Sequence, residues 1–150
     1  MKRRQVILLG LVLAALVPGV ALATMLGQRG LSPILAADTV YTGDYLVTAK
    51  EVTLAGNIDG DVIAAGNTVV VSGNVSGDVI AAGQSVTVSG TVGGSVRVAG
   101  NSVRIDGVVT RNVTAFAGTI SLGPNAVGQR NVYASGGSVE VLGTVERELN

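Results

Sequence analysis

The chain of 150 residues contains no cysteine, no histidine and no tryptophan. Without cysteine there can be no disulfide framework, no zinc–thiolate site and no lipidated cysteine. Without histidine and cysteine, the commonest general bases, nucleophiles and metal ligands are also missing. We therefore expect a protein that is not an enzyme and that uses no cofactor and no metal.

Charged and aromatic residues are scarce as well. They make up 13% and 3% of the chain, and the formal net charge at pH 7 is zero. The basic residues cluster only at the extreme N-terminus, so the basic surface that nucleic-acid binding needs is absent from the rest of the chain. We expect no nucleic-acid partner.

What the chain does contain is a repeat with a period of seventeen residues. The heptapeptide GDVIAAG occupies residues 60–66 and again 77–83, and four apolar columns recur at the same spacing over about six copies. The columns begin at Val52, Leu54, Ile58 and Val62. A two-residue insertion near Pro124 precedes their last members, Val139, Val141, Val145 and Leu149. The third column is predicted to pass through Val109 and Val127. Such a short repeat is typical of a solenoid.

Glycine columns separate the apolar pieces in each repeat. Glycine adopts positive φ without steric cost, so three glycine columns per repeat predict three corners. Between the glycines, apolar residues alternate with other residues, and valine and isoleucine are frequent, which favours short strands. A helix would be destabilised by so many glycines. The predicted fold is all-β: a three-sided, single-stranded β-helix of about six coils of seventeen residues, with coils about 4.8 Å apart.

The residue pattern of the segment 1–23 predicts a signal peptide or a membrane anchor. A basic cluster at residues 2–4 precedes an apolar run, and the small residues Ala21 and Ala23 form a cleavage pattern. The alternative is an uncleaved membrane anchor over residues 1–26, because this stretch is long enough to span a bilayer. In both cases the basic cluster favours transfer of the repeats across the membrane. The expected location is membrane-associated or exported, in the cell envelope, with the cytoplasmic face of the membrane as the alternative.

Two further segments complete the predicted organisation. Residues 24–40 are interpreted as a linker or an N-terminal cap, and residues 41–150 as the β-helix domain, which starts with a degenerate copy at Gly43, Asp44 and Tyr45. The sequence stops within a coil. An uncovered last coil presents unpaired backbone and apolar side chains, so we expect another copy to stack on Val139, Val141, Val145 and Leu149. The alternative is that the natural chain continues beyond Asn150.

One acidic column raises the question of a metal or catalytic site. Asp44, Asp61 and Asp78 occupy the same position in successive coils, where stacked carboxylates could bind calcium or transfer protons. The favoured interpretation is that these side chains accept backbone hydrogen bonds at a corner. The column continues as Ser95, Asn112 and Asn131, which suits that structural role.

An apolar stripe is predicted on the outward side of one strand. It comprises Leu46, Ile63, Ile80, Phe116 and Tyr133. Alanines lie beside it at Ala65, Ala82 and Ala99. Exposed patches of this kind usually contact a partner, a membrane or another copy of the protein. Cover by residues 24–40 is the alternative.

The reiterated G-D-V-I-A-A-G and V-x-V-x-G pattern at 52–107, which decays through 145, resembles the bactofilins, a family of polymer-forming cytoskeletal proteins. The resemblance covers roughly 41–149 and implies a right-handed β-helix. It also implies nucleotide-independent, end-to-end assembly into filaments that act as scaffolds at the membrane. Typical members are cytoplasmic with short polar tails, so the signal-like N-terminus points to an exported or membrane-anchored relative.

We therefore expect a structural protein of the cell envelope whose partner is itself. The alternative function is a monomeric, secreted β-helix that binds a glycan or a surface partner. Such a module would use the apolar stripe or the arginines that replace glycine at one corner, Arg111, Arg130 and Arg147.

Overall fold

The computed structural model describes residues 33–128, 130–145 and 148–149. They form an all-β parallel solenoid of about six turns with seventeen-residue spacing and contain no helix. The first strands are β1 (Ile34–Leu35), β2 (Val40–Thr42), β3 (Tyr45–Thr48), β4 (Glu51–Leu54) and β5 (Asn57–Asp59). The central strands are β6 (Val62–Val71), β7 (Val79–Val88), β8 (Val96–Ile105), β9 (Val108–Val109) and β10 (Val113–Leu122). The last are β11 (Val127–Gly128), β12 (Asn131–Val141), β13 (Thr144–Val145) and β14 (Glu148–Leu149).

Long strands stack in register along one large sheet. Strands β6, β7, β8 and β10 each have ten residues and pair in parallel with their neighbours, as Val69 with Val86 and Val86 with Val103. The apolar columns of the sequence therefore do lie one above another. Valine suits such stacks because its branched side chain packs well on a pleated surface.

The rest of each coil is a short segment that belongs to smaller sheets. Strand β2 pairs with β5, and β11 pairs with both β9 and β13. Between these two groups, single parallel bridges join Ile58, Val75, Val92 and Val109. The inward residues of all segments form one continuous core, in which the column from Val52 to Ile120 is no more than 1% exposed.

The glycine columns are explained by close approach rather than by positive φ. Among the described residues only Gly43 has positive φ, at 115°. A Cβ on Gly73 would clash with the carbonyl oxygen of Gly56 one coil below, and Gly66 lies in the middle of the continuous strand β6. The prediction of positive φ at the glycine corners was therefore wrong outside Gly43, and glycine is needed because the coils approach each other through their backbones.

The insertion lies near Pro124, as predicted, but the third apolar column was continued through the wrong residue after it. Val109 pairs with Gly128, not with Val127, which instead pairs with Val108 and Thr144. Leu122 still pairs with Ile105, so both extra residues lie between Leu122 and Gly128. The outward Val127 was misassigned because valine is common on both sides of these strands.

Within the described residues, the first parallel pairing is that of β1 with β4 at Ile34, upstream of the residue from which repeats could be read. Leu35 pairs with Leu54 and is buried in the core. The predicted signal segment 1–23 with Ala21 and Ala23, the possible anchor 1–26, and residues 24–32 lie outside the described residues. Within the described part, no helix long and apolar enough to cross a bilayer is found.

Candidate functional site

The aspartate column forms a ladder of hydrogen bonds between coils. Asp44 Oδ1 accepts a hydrogen bond from the backbone amide of Asp61 at 3.1 Å, and Asp61 Oδ1 accepts one from Asp78 at 2.8 Å. Asp78 Oδ1 accepts the next, from the amide of Ser95 at 2.7 Å. The interpretation of these aspartates as backbone acceptors is thereby confirmed. We refer to Asp44, Asp61 and Asp78 as the aspartate ladder.

Asp78 is the member of the aspartate ladder that also forms a salt bridge. The backbone hydrogen bond from Ser95 lowers the pKa of its carboxyl below the usual 3.8, partly opposed by burial. The Arg97 guanidinium lowers the pKa further through a 3.0 Å salt bridge. The carboxylate is therefore held in its ionised, hydrogen-bond-accepting form and is not poised to transfer protons. Within the described ranges, no group of three or more acidic side chains is arranged to hold a metal ion.

Glycine and aspartate positions depend on each other across coils. A Cβ on Gly77 would meet Asp61 Oδ1, and one on Gly94 would meet Asp78 Oδ1. Where the ladder ends at Ser95, the glycine column gives way to Arg111, whose amide still donates to the Gly94 carbonyl oxygen at 3.1 Å. Sequence reasoning missed this coupling, although the signal was present, since glycines at 60, 77 and 94 follow aspartates one coil earlier.

The predicted apolar stripe lies on the outward side of the first halves of the long strands, in two adjacent columns. One column contains Leu46, Ile63, Ile80, Arg97, Thr114 and Tyr133. The other contains Thr48, Ala65, Ala82, Ala99, Phe116 and Ser135. Phe116 therefore belongs to the alanine column, two residues along the strand from the isoleucines. The structure brings Leu46, Ile63 and Ile80 together on three successive coils and separates them from Tyr133.

The two aromatic members differ from the aliphatic ones in exposure. Phe116 and Tyr133 are 57% and 42% exposed, whereas Leu46, Ile63 and Ile80 are half-buried by their neighbours. The Tyr133 hydroxyl accepts a hydrogen bond from Asn131 Nδ2 at 3.2 Å. The compact apolar part of this surface is therefore formed by the aliphatic residues of the first coils.

The last described coil leaves part of the core uncovered. Val139 is 42% exposed, although the five residues below it in the same column are at most 1% exposed. Among the described residues no strand pairs with the outer edge of residues 136–141, since β14 reaches only Asn131 and Val132. Val141 lies beside Val139 on this edge and is half-buried. The backbones of Val145 and Leu149 are paired, and their side chains lie outside the described part.

The arginine corner carries two exposed charges in the described part, and Arg111 acts at longer range on Asp78, whose carboxyl pKa it helps to lower. Arg111 and Arg130 are exposed, and neither forms a salt bridge within the described residues, where the two ion pairs join Arg97 to Asp78 and Arg104 to Asp106. Arg147 lies outside the described residues. Two unpaired guanidinium groups on adjacent coils are consistent with a solvated edge or with contact to an anionic partner.

Comparison with protein-family models, with curated proteins and with solved structures gave no match. The family resemblance therefore depends on the repeat pattern in residues 52–107, and the structure adds a compatible parallel solenoid.

Proposed function

We propose that this chain is a structural, non-catalytic protein that associates with itself end to end into nucleotide-independent filaments or scaffolds at the cell envelope. The observation that carries the proposal is the in-register parallel stacking of the long strands, in which each coil offers its neighbour the same backbone edge and the same apolar columns. Stacking one copy on another at the coil of Val139 would continue this pairing, remove apolar surface from water and satisfy backbone groups, all of which favour association.

Three finer features belong to the same proposal. The winding is right-handed and three-sided, as the resemblance to the bactofilins implies. Residues 1–26 target the chain to or through a membrane, so that the repeats work outside the cytoplasm. The absence of histidine and cysteine supports a role without catalysis.

Negative-stain electron microscopy of the full chain without nucleotide tests the proposal. We expect filaments whose formation is abolished by Val139→Lys, because the buried charge would be unpaired in the stacked state. The matched control is Ser121→Lys, which adds the same charge on an outward position of β10. Wild-type protein that stays monomeric at all concentrations contradicts end-to-end assembly.

The second candidate function is a monomeric binding module for an anionic glycan or surface polymer. The unpaired guanidinium groups of Arg111 and Arg130 favour it. A monomer that binds polyanionic glycan, and loses that binding in Arg111→Gln with Arg130→Gln, would support this function instead.

A further inference from the structure

On one outward face of the solenoid, a column of large aliphatic side chains lies beside a column of alanines, so the face could pack against a copy of itself. Leu46, Ile63 and Ile80 form a ridge on three successive coils, and we call this set the ridge. Ala65, Ala82 and Ala99 form the adjacent groove, displaced by two residues along the same strands. Residues two apart on a strand are about 6.8 Å apart, so ridge and groove run side by side along the solenoid axis.

This face is also nearly free of charge. Its one charged member in the described columns is Arg97, whose guanidinium is held 3.0 Å from the Asp78 carboxylate. The outward side of the second halves of the long strands is different. It carries Thr53, Val70, Thr87, Arg104, Ser121 and Glu140. The apolar relief of the first halves is thus absent from the second halves of the long strands.

We propose that the ridge and groove bind the same face of a second copy, with the two solenoid axes parallel. A twofold axis parallel to the solenoid and midway between the columns places each ridge over the groove of the other copy. Ile63 then lies against Ala65 of the second copy, and Ile80 against Ala82. A twofold axis perpendicular to the solenoid instead superposes ridge on ridge and groove on groove, which leaves voids that cost packing energy.

The size of the face determines when this contact forms. Ridge and groove together span four coils, and four strand residues by four coils cover about 13 Å by 19 Å, or about 250 Å² per copy. Stable interfaces bury about 800 Å² per partner, so one pair of free monomers binds weakly. Attachment to a membrane or to a filament raises the effective concentration and repeats the contact many times. Parallel axes also place both N-termini at the same end, as a shared membrane would require.

This lateral contact goes beyond the end-to-end association proposed above and does not depend on it. The two are distinguishable, because Val139→Lys removes the end contact and leaves the ridge and groove intact. Lateral crosslinks in Val139→Lys protein show that the lateral contact exists even if filaments never form.

Cysteine crosslinking in the full chain tests the orientation, since the protein has no cysteine of its own. We expect a mixture of Ile80→Cys and Ala82→Cys chains, with different tags, to form mixed disulfide dimers at least tenfold faster than either chain alone. The control mixture pairs Ile80→Cys with Thr87→Cys, which lies on the other outward face, and should give no dimers above background. Preferred Ile80–Ile80 dimers would overturn the parallel arrangement.

An exchange of ridge and groove tests the complementarity itself. Ala65→Leu with Ala82→Leu fills the groove and should slow disulfide crosslinking between Arg97→Cys and Ala99→Cys chains, which face each other in the proposed contact, at least fivefold. The variant Ile63→Ala, Ala65→Ile, Ile80→Ala, Ala82→Ile should restore it, because the two columns simply change places about the twofold axis. All four positions face outward, so unchanged circular dichroism verifies the fold of each variant. Failure of the exchange variant to restore crosslinking overturns the proposal.

Two other occupants of this face would give different results. If the full chain binds vesicles of anionic phospholipid and loses that binding in Ile63→Lys with Ile80→Lys, while no crosslinks form, the face is a membrane contact. If Leu31→Cys forms an intramolecular disulfide with Ala82→Cys in monomers, the chain's own N-terminal segment covers it. Either result overturns the proposed lateral pairing.

Discussion

The carboxylate of Asp61 accepts a hydrogen bond from the backbone amide of Asp78, seventeen residues later, at 2.8 Å. The same oxygen occupies the space that a Cβ on Gly77 would need. A single side chain therefore links two coils and also determines which residue the next coil can carry. This pair explains why the block containing glycine and aspartate is repeated so closely.

Replacing Asp61 with alanine should destabilise the solenoid by about 1 kcal/mol, because the Asp78 amide loses its acceptor at an exposed corner. Urea unfolding of the full chain measures this change. Asp61→Asn should cost less, since its side-chain oxygen still accepts a hydrogen bond. Equal losses for both variants would show that the charge, rather than the hydrogen bond, stabilises the corner.

Gly77→Ala should destabilise the protein by about 1–3 kcal/mol, because the added methyl group overlaps Asp61 Oδ1 and lies 2.7 Å from the Gly60 carbonyl oxygen. Gly118→Ala is the matched control: its nearest atom, the Asn101 carbonyl oxygen, is 3.1 Å from the added group, so a small local shift suffices. Thermal melting compares the two. The combination of Gly77→Ala with Asp61→Ala should cost less than the sum of the single changes, because they share one contact.

Lowering the pH should reduce the free energy of unfolding, because the Asp78 carboxylate becomes protonated. The pKa of this carboxyl is lowered in the folded state, first by the Ser95 amide and then by Arg97, relative to its usual 3.8. Its contribution to stability is therefore complete above the unfolded pKa and is lost as the pH falls through the lower folded pKa. Unfolding free energies measured from pH 5 down to pH 2.5 should fall less steeply in Asp78→Asn than in wild type. Arg97→Gln should retain most of the dependence of the unfolding free energy on pH. If Asp78→Asn shows the same pH dependence as wild type, Asp78 is not its source.

Truncating a side chain at the end of the core should destabilise the monomer less than truncating one in the middle of the core. Val86→Ala should destabilise the monomer by about 2 kcal/mol, because Val86 is completely buried and the deletion leaves a cavity. Val139→Ala should cost the monomer less than about 1 kcal/mol, because this side chain is 42% exposed. Its main effect should be a higher critical concentration for assembly, measured by sedimentation. A Val139→Ala variant that assembles like wild type would argue against stacking at this edge.

The arrangement of the outward face shows where sequence reasoning was limited. The isoleucines and alanines could be placed on one side from alternation alone, because side chains on a strand point to opposite faces in turn. Phe116 lies seventeen residues after Ala99, so the period alone places it in the alanine column, and grouping it with the isoleucines did not follow the period. The two-residue insertion lies after β10, so the period becomes ambiguous only around Val127, where apolar residues occur on both sides.

The sequence by itself determined the stacked strands, the seventeen-residue coil and the columns that form the core. A strict period fixes which side chains lie above one another once the coils stack in register. The structure alone decided why glycine recurs and that Gly128, not Val127, continues the column of Val109. Those features depend on distances between atoms far apart in the chain, such as Asp61 Oδ1 and Gly77, and a period in the sequence carries no information about such distances.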